Sequence, residues 1–169
     1  MECGVWRGGA AIMMRAVLAA HETTDRSVWL ADSFAGLPTP DLEKYPIDAV
    51  WTESHGALAV SLADVVSNFR RFGLLDDSVR FLPGWFSETL PDAPIDQLAV
   101  LRLDGDLYES TIDALTHLYD RVAPGGFVII DDYCLTTCRR AVDDFRNARS
   151  IDADLHHVDW TGVWWRVPQ

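Results

Sequence analysis

The sequence predicts an α/β fold: a mostly parallel sheet with helices on its faces and an antiparallel hairpin near its C-terminus. Three observations carry this. Short apolar runs alternate with segments whose apolar residues recur at helical spacing. One stretch, LAVLRLDGDLYES through to APGGFVIIDDY, contains a full strand–helix–strand unit. The final stretch, LHHVDWTGVWWRV, holds two strand-like runs close together.

The strand–helix–strand unit organises the rest. Its strands are residues 98–103 and 127–130, and each run ends in carboxylates: Asp104 and Asp106, then Asp131 and Asp132. Residues 111–122 carry Ile112, Leu115, Leu118, Tyr119 and Val122, so the connection is a helix. A right-handed crossover makes the strands parallel neighbours, and their carboxyl ends then lie side by side. Open α/β sheets place ligands outside those ends. Clustered acids repel unless they share a cation or a proton. A hard divalent ion such as Mg²⁺, with oxygen ligands and water, suits them. The same residues also suit turns and helix caps: Asp-Gly at 104–105 is a common turn, and Asp132 can cap the helix that follows.

The remaining elements follow in chain order. Gly4, Gly8 and Gly9 form a glycine-rich loop, and residues 10–20 form an apolar helix expected to be largely buried. A glycine loop opening a helix offers free N–H groups to an anion or carboxylate, although the spacing is not that of dinucleotide binders. Residues 28–31 are a strand ending in Asp32-Ser33-Phe34. An acid there can accept hydrogen bonds from ribose hydroxyls or cap a turn. Residues 38–56, with three prolines, read as a long excursion over the rim of the site, and His55 within it reads as solvated. Residues 61–72 form an amphipathic helix capped by Ser61 and stopped by Gly73. Residues 79–82 are a third strand, followed by Gly84-Trp85-Phe86, whose rings suit either an adenine or the core. Residues 136–149 form the last helix, with Ala141, Val142 and Phe145 inward. Residues 155–160 and 162–167 form a hairpin joined tightly at Thr161-Gly162, and His156 and His157 read as structural.

Composition excludes several classes of function. The chain has 169 residues and a net charge of −12, which disfavours lasting contact with nucleic acid or anionic membrane. No apolar run is long enough to span a bilayer, and no leader pattern precedes the glycine loop. Three cysteines, Cys3, Cys134 and Cys138, fit a reducing cytoplasm. Seven tryptophans and a first strand cut to Met1, Glu2 and Cys3, just ahead of the glycine loop, point to exposed apolar surface and hence to a homo-oligomer.

Five parallel strands with a terminal hairpin are the layout of the class I S-adenosylmethionine-dependent methyltransferases, a Rossmann-like fold. The strings GVWRGG, ADSFAGLP, VRFLPGWF, LRLDGDLYEST, PGGFVIIDDY, RRAVDDFR and DWTGVWWR together resemble the macrocin O-methyltransferase family of antibiotic sugar methylases. The resemblance covers essentially the whole chain. It implies one methyltransferase domain over residues 1–169, S-adenosylmethionine and Mg²⁺ as cofactors, and methylation of a hydroxyl on a deoxysugar of a natural product such as a macrolide. By position, Glu2, Gly4, Gly8 and Gly9 would hold the methionine part. Asp32 and Ser33 would hold the ribose, and Gly84, Trp85 and Phe86 would border the adenine. Asp104, Asp131 and Asp132 would be metal ligands, with Asp104 also the candidate base. Asp106 would either surround the ligands or cap the next helix. The family carries an N-terminal extension that helps cover the acceptor, and this chain is expected to lack it. Two other readings stay open: a catechol-type phenol O-methyltransferase with the same metal logic, and a non-catalytic homologue that binds S-adenosylmethionine or only oligomerises.

Overall fold

The computed structural model describes residues 1–54 and 56–169; His55, read above as a solvated rim residue, lies outside the described residues. The strands are β1 (Glu2–Cys3), β2 (Val28–Asp32), β3 (Val79–Pro83), β4 (Leu98–Leu103), β5 (Val122–Ile130), β6 (His156–His157) and β7 (Val163–Arg166). The helices are α1 (Gly9–Ala20), α2 (Leu62–Arg71), α3 (Phe86–Thr89), α4 (Tyr108–Leu118) and α5 (Thr136–Ala148), with 3₁₀ helices at Pro46–Ser54 and Tyr119–Arg121.

All seven strands join one sheet in the order β3-β2-β1-β4-β5-β7-β6. The first five are parallel; β7 runs antiparallel to β5, and β6 antiparallel to β7. The predicted sheet is therefore the observed one. β1 has only two residues, yet it sits centrally between β2 and β4 and both its side chains are buried. Chain order reverses between β1 and β4, and this is the switch point where open sheets leave a crevice. Register then aligns the strand ends. Cys3 pairs with Ala31 and Leu103, Leu103 with Ile130, and Asp32 with Pro83. Gly84, Asp32, Gly4, Asp104 and Asp131 therefore follow one another across the carboxyl ends of the strands.

One apolar cluster fills the β4–β5 side with Leu101, Leu103, Leu115, Leu118, Val128, Ile130 and Trp165; a second lies under α1 and α2 around Leu30, Val65 and Phe69.

Several sequence expectations are corrected. The α1 helix is not largely buried: of its residues only Ala11 is, while Met13 is 65% and Val17 50% exposed. Apolar composition on every face leaves more apolar surface than one sheet contact can cover. The α4 helix starts at Tyr108 and stops at Leu118, because Val122 is already in the sheet opposite Leu98. β5 accordingly starts at Val122 rather than at residue 127. The rim excursion contains a nine-residue 3₁₀ helix, Pro46–Ser54, which the sequence reading did not give it. The hairpin is looser than expected: residues 158–162 connect it, and Asp159 Oδ1 accepts the N–H groups of Thr161 and Gly162. Ser61 does cap α2, accepting the Asp64 N–H, and Gly73 follows that helix at φ +66.

Candidate active site

A cavity of about 480 Å³ opens at the switch point. That is ample for a small molecule. One end is lined by Gly4, Asp32, Ser33, Gly84, Trp85 and Phe86, and the other by Asp104, Gly105, Asp106 and Glu109.

The Asp32 end is shaped by turns. Asp32 Oδ2 accepts the Val5 N–H at 2.6 Å and Oδ1 accepts the Phe34 N–H at 2.7 Å. One carboxylate thus fixes two loops. Ser33 Oγ accepts the Ala35 N–H and donates to the Gly36 carbonyl. Gly4 shows why a glycine must stand at the crossing point. Its φ is +85, and a Cβ there would lie 1.7 Å from the Asp104 carbonyl oxygen. Only a bare α-carbon lets the β1 and β4 ends close to this distance.

Three residues expected to touch the cofactor stand elsewhere. Glu2, Gly8 and Gly9 are not among the cavity-lining residues. Glu2 is 2% exposed; its Oε2 accepts the Ala11 N–H in the first turn of α1, and its Oε1 is 2.6 Å from Arg102 Nη1. Gly8 holds φ +84 at the start of α1 and packs toward Val65 and Phe69. Glu2 thus ties β1 to the first turn of α1 and to Arg102 behind the loop, while Gly9 opens α1.

At the acidic end, Asp104, Asp131 and Asp132 each offer an oxygen within 4.8 Å of the others. The predicted grouping therefore forms, and the cap reading of Asp132 does not hold: its Oδ2 accepts the Asp106 N–H at 3.1 Å, across the β4–β5 gap. Nor does Asp106 cap α4. That role belongs to Asp48, fully buried in the rim 3₁₀ helix, whose two oxygens accept the N–H groups of Tyr108 and Glu109.

Sequence reasoning missed Arg102. It lies within the apolar run of β4, yet its guanidinium meets Glu2, Asp104 at 2.8 Å and Asp131 at 2.6 Å. The acids are not left to repel unopposed. Alternation along β4 was the available signal, because Arg102 interrupts an otherwise apolar strand just before two aspartates.

The electrostatics show a site still short of positive charge. Burial, reinforced by Asp106 and Asp104, pushes Asp132 up to about 8. Burial, then Asp104 and Asp131, pushes Asp106 up to about 6. Burial also raises Asp131 and lifts Glu2 to about 7 against the pull of Arg102. Burial opposes charge on Arg102 as well, but its carboxylate neighbours more than offset this and its pKa rises. The cluster favours a proton or a cation. Three carboxylates from adjacent strand ends, each with one oxygen that no N–H donor or Arg102 engages among the described residues, suit a hard divalent ion. These residues fit Mg²⁺.

The family model described as Macrocin-O-methyltransferase matches residues 1–167. The chain is 56% identical over 168 residues to the 8-demethyl-8-(2,3-dimethoxy-alpha-L-rhamnosyl)-tetracenomycin-C 4'-O-methyltransferase of Streptomyces olivaceus, with 98% of this chain and 64% of that protein covered. It is 52% identical to the mycinamicin III 3''-O-methyltransferase of Micromonospora griseorubida, covering 98% of this chain and 67% of that one. The chain thus spans about two thirds of the length of these relatives. The solved structure of the O-methyltransferase NovP superposes with a TM-score of 0.96 at 52% identity, over 99% of this chain and 71% of that one. With its sheet order, its switch-point cavity and a match along nearly its whole length, the chain belongs to the macrocin O-methyltransferase family.

Proposed function

We propose that residues 1–169 form a single methyltransferase domain that moves the methyl group of S-adenosylmethionine to a sugar hydroxyl on a glycosylated natural product, with Mg²⁺ at Asp104, Asp131 and Asp132. The observation that carries this reading is a cavity joining the Asp32–Ser33 turn to Asp104, the member of the carboxylate cluster that lines it; Asp131 and Asp132 stand behind Asp104, outside the lining. A methyl donor seated at one end meets an acceptor seated at the other. The names of the close relatives, which include a rhamnosyl tetracenomycin 4'-O-methyltransferase, support a sugar acceptor.

Each part of the chain has a role in this reading. Asp32 accepts hydrogen bonds from the ribose, and Trp85 and Phe86 border the adenine. The cavity is lined by Asp32, Asp104, Asp106, Glu109 and Asp113, a field that favours a cationic sulfonium ligand. The bound ion would lower the pKa of a coordinated hydroxyl and orient it. Asp104, which lines the cavity and belongs to the cluster, accepts the proton released as the hydroxyl attacks the methyl carbon. Holding both reactants in line supplies the rest.

No helix among the described residues is long and apolar enough to cross a membrane. We place the protein in the cytoplasm and assign it a homo-oligomeric state, supported by exposed Met13 and Val17 on α1; sedimentation as a monomer at micromolar concentration would overturn that state.

The function is tested by incubating the chain with S-adenosylmethionine and a panel of rhamnosyl and other deoxysugar glycosides, with catechols as controls. Methylated glycoside that disappears on chelation and returns with Mg²⁺ is the expected result. Catechol as the preferred acceptor overturns the sugar reading. A rate indifferent to chelator overturns the metal. Failure to bind S-adenosylhomocysteine by calorimetry overturns the enzyme.

A further inference from the structure

In each of the three grouped carboxylates, one oxygen is already claimed by the protein. Arg102 Nη1 donates to Asp104 Oδ2 at 2.8 Å, and Arg102 Nη2 lies 2.6 Å from Asp131 Oδ1. Asp132 Oδ2 accepts the Asp106 N–H. Both donors are themselves held. The guanidinium is tied to Glu2, which is anchored on the α1 N–H of Ala11. Asp106 sits at φ +57, in the left-handed region, and its carbonyl accepts the hydroxyl of buried Thr137 at 2.7 Å. Thr137 Oγ1 in turn accepts the Trp51 indole N–H at 3.3 Å, from the rim 3₁₀ helix.

We propose that Arg102 and Thr137 are positioning residues for the metal site, fixing Asp104, Asp131 and Asp132 so that one oxygen of each faces the ion. This rests on the metal reading above. An aspartate at a strand end turns freely about its side-chain bonds, and three of them drift apart under mutual repulsion. A guanidinium presents several N–H groups in a rigid plane, so one Arg102 sets two carboxylates relative to each other. Among the described residues no other basic side chain pairs with these aspartates. A left-handed aspartate is an uncommon conformation, and the Thr137 hydroxyl holds it so that its N–H points at Asp132. Loss of a partner that orients a metal ligand in this way typically costs about 10- to 100-fold in metal affinity.

The test is calorimetric titration of the full chain with Mn²⁺, alongside S-adenosylhomocysteine. Thr137→Val should weaken Mn²⁺ binding about tenfold, and Thr137→Ser, which keeps the hydroxyl, should bring it back. Arg102→Lys keeps the charge but not the fork, and should weaken Mn²⁺ about 10- to 100-fold. S-adenosylhomocysteine affinity should change less than about twofold in all three, since its contacts lie at the Asp32 end. Wild-type Mn²⁺ affinity in Thr137→Val overturns the proposal, as does a parallel loss of both ligands. Tighter Mn²⁺ binding in Arg102→Met would show that cation repulsion outweighs positioning, and overturns it too. A wild-type chain with no Mn²⁺ site fails the metal reading itself, whereas a wild-type site indifferent to these substitutions fails only the positioning. Should Arg102→Lys not fold, the Thr137 pair decides.

Discussion

At its Asp32 end the cavity is fixed in good part by bonds within residues 32–36, namely Phe34 N–H to Asp32, Ala35 N–H to Ser33, and the Ser33 hydroxyl to Gly36, with Val5 and Gly84 N–H groups joining from other loops. At its acidic end Arg102 meets Asp104 two residues away, but the other side-chain bonds that fix it join distant parts of the chain. Glu2 meets Arg102, Asp106 meets Asp132, Thr137 meets Asp106, and Asp48 meets Tyr108 and Glu109. The first kind of structure forms wherever the local sequence forms. The second exists only once the sheet is assembled, and it carries concentrated charge. The Asp32 end should therefore tolerate change at the acidic end, while the acidic end depends on the whole fold.

The largest expected effect comes from the double replacement Asp131→Asn, Asp132→Asn. It should abolish divalent-ion binding and ion-dependent methylation yet leave S-adenosylhomocysteine affinity within about twofold, because the cofactor contacts proposed above lie elsewhere. Ion-dependent turnover in that variant would break the comparison by removing the acidic end from the chemistry.

Gly4→Ala probes a place where the two ends touch. Its added Cβ would overlap the Asp104 carbonyl in a backbone conformation that L side chains rarely adopt. The expected loss of stability is about 3 kcal/mol or more, read by chemical denaturation. A change under about 1 kcal/mol would show that the β1–β4 crossing relaxes easily.

Asp32→Ala should weaken S-adenosylhomocysteine binding by about 1.5–3 kcal/mol, the worth of hydrogen bonds to a charged group. Mn²⁺ affinity should stay near the wild-type value. Calorimetry with both ligands checks the pair, and a shared loss would mean that the ends are not separable.

The smallest effect sharpens the charge argument through Glu2. Its folded pKa of about 7 lies above its ordinary 4.5. The folded state therefore holds that proton more tightly than the unfolded chain. The resulting stability is fully present below about 4.5 and is lost as pH rises through about 7. Glu2→Gln cannot ionise, so its melting curve should vary less between about pH 5 and pH 7, by about 1–2 kcal/mol. Parallel pH profiles for the two proteins would show that Glu2 is not held in this way.

Two helices show where sequence reading stops. The α1 stretch GAAIMMRAVLAA reads as core, yet only Ala11 is buried; α4, with Ser110, Thr111 and His117, buries five of its residues. Composition ranks the two helices one way and the sheet ranks them the other, because burial depends on which face meets a neighbour. Asp48 is a similar case. A lone acid in a proline-rich excursion gives no hint of capping a helix some sixty positions later.

The sequence by itself determined the strand and helix order, the parallel sheet with its terminal hairpin, and the aspartates at adjacent strand ends. These follow from periodicity, the handedness of crossovers and the habit of strands ending in polar residues, all of which are local. Only the tertiary structure decided that Arg102 stands among those aspartates, that Glu2 braces from behind rather than lining the cavity, and that Asp106 is a left-handed link to Asp132. Each of these is a contact between segments far apart in the chain. Its geometry is set by strand register, and register becomes definite only when every strand has its neighbour.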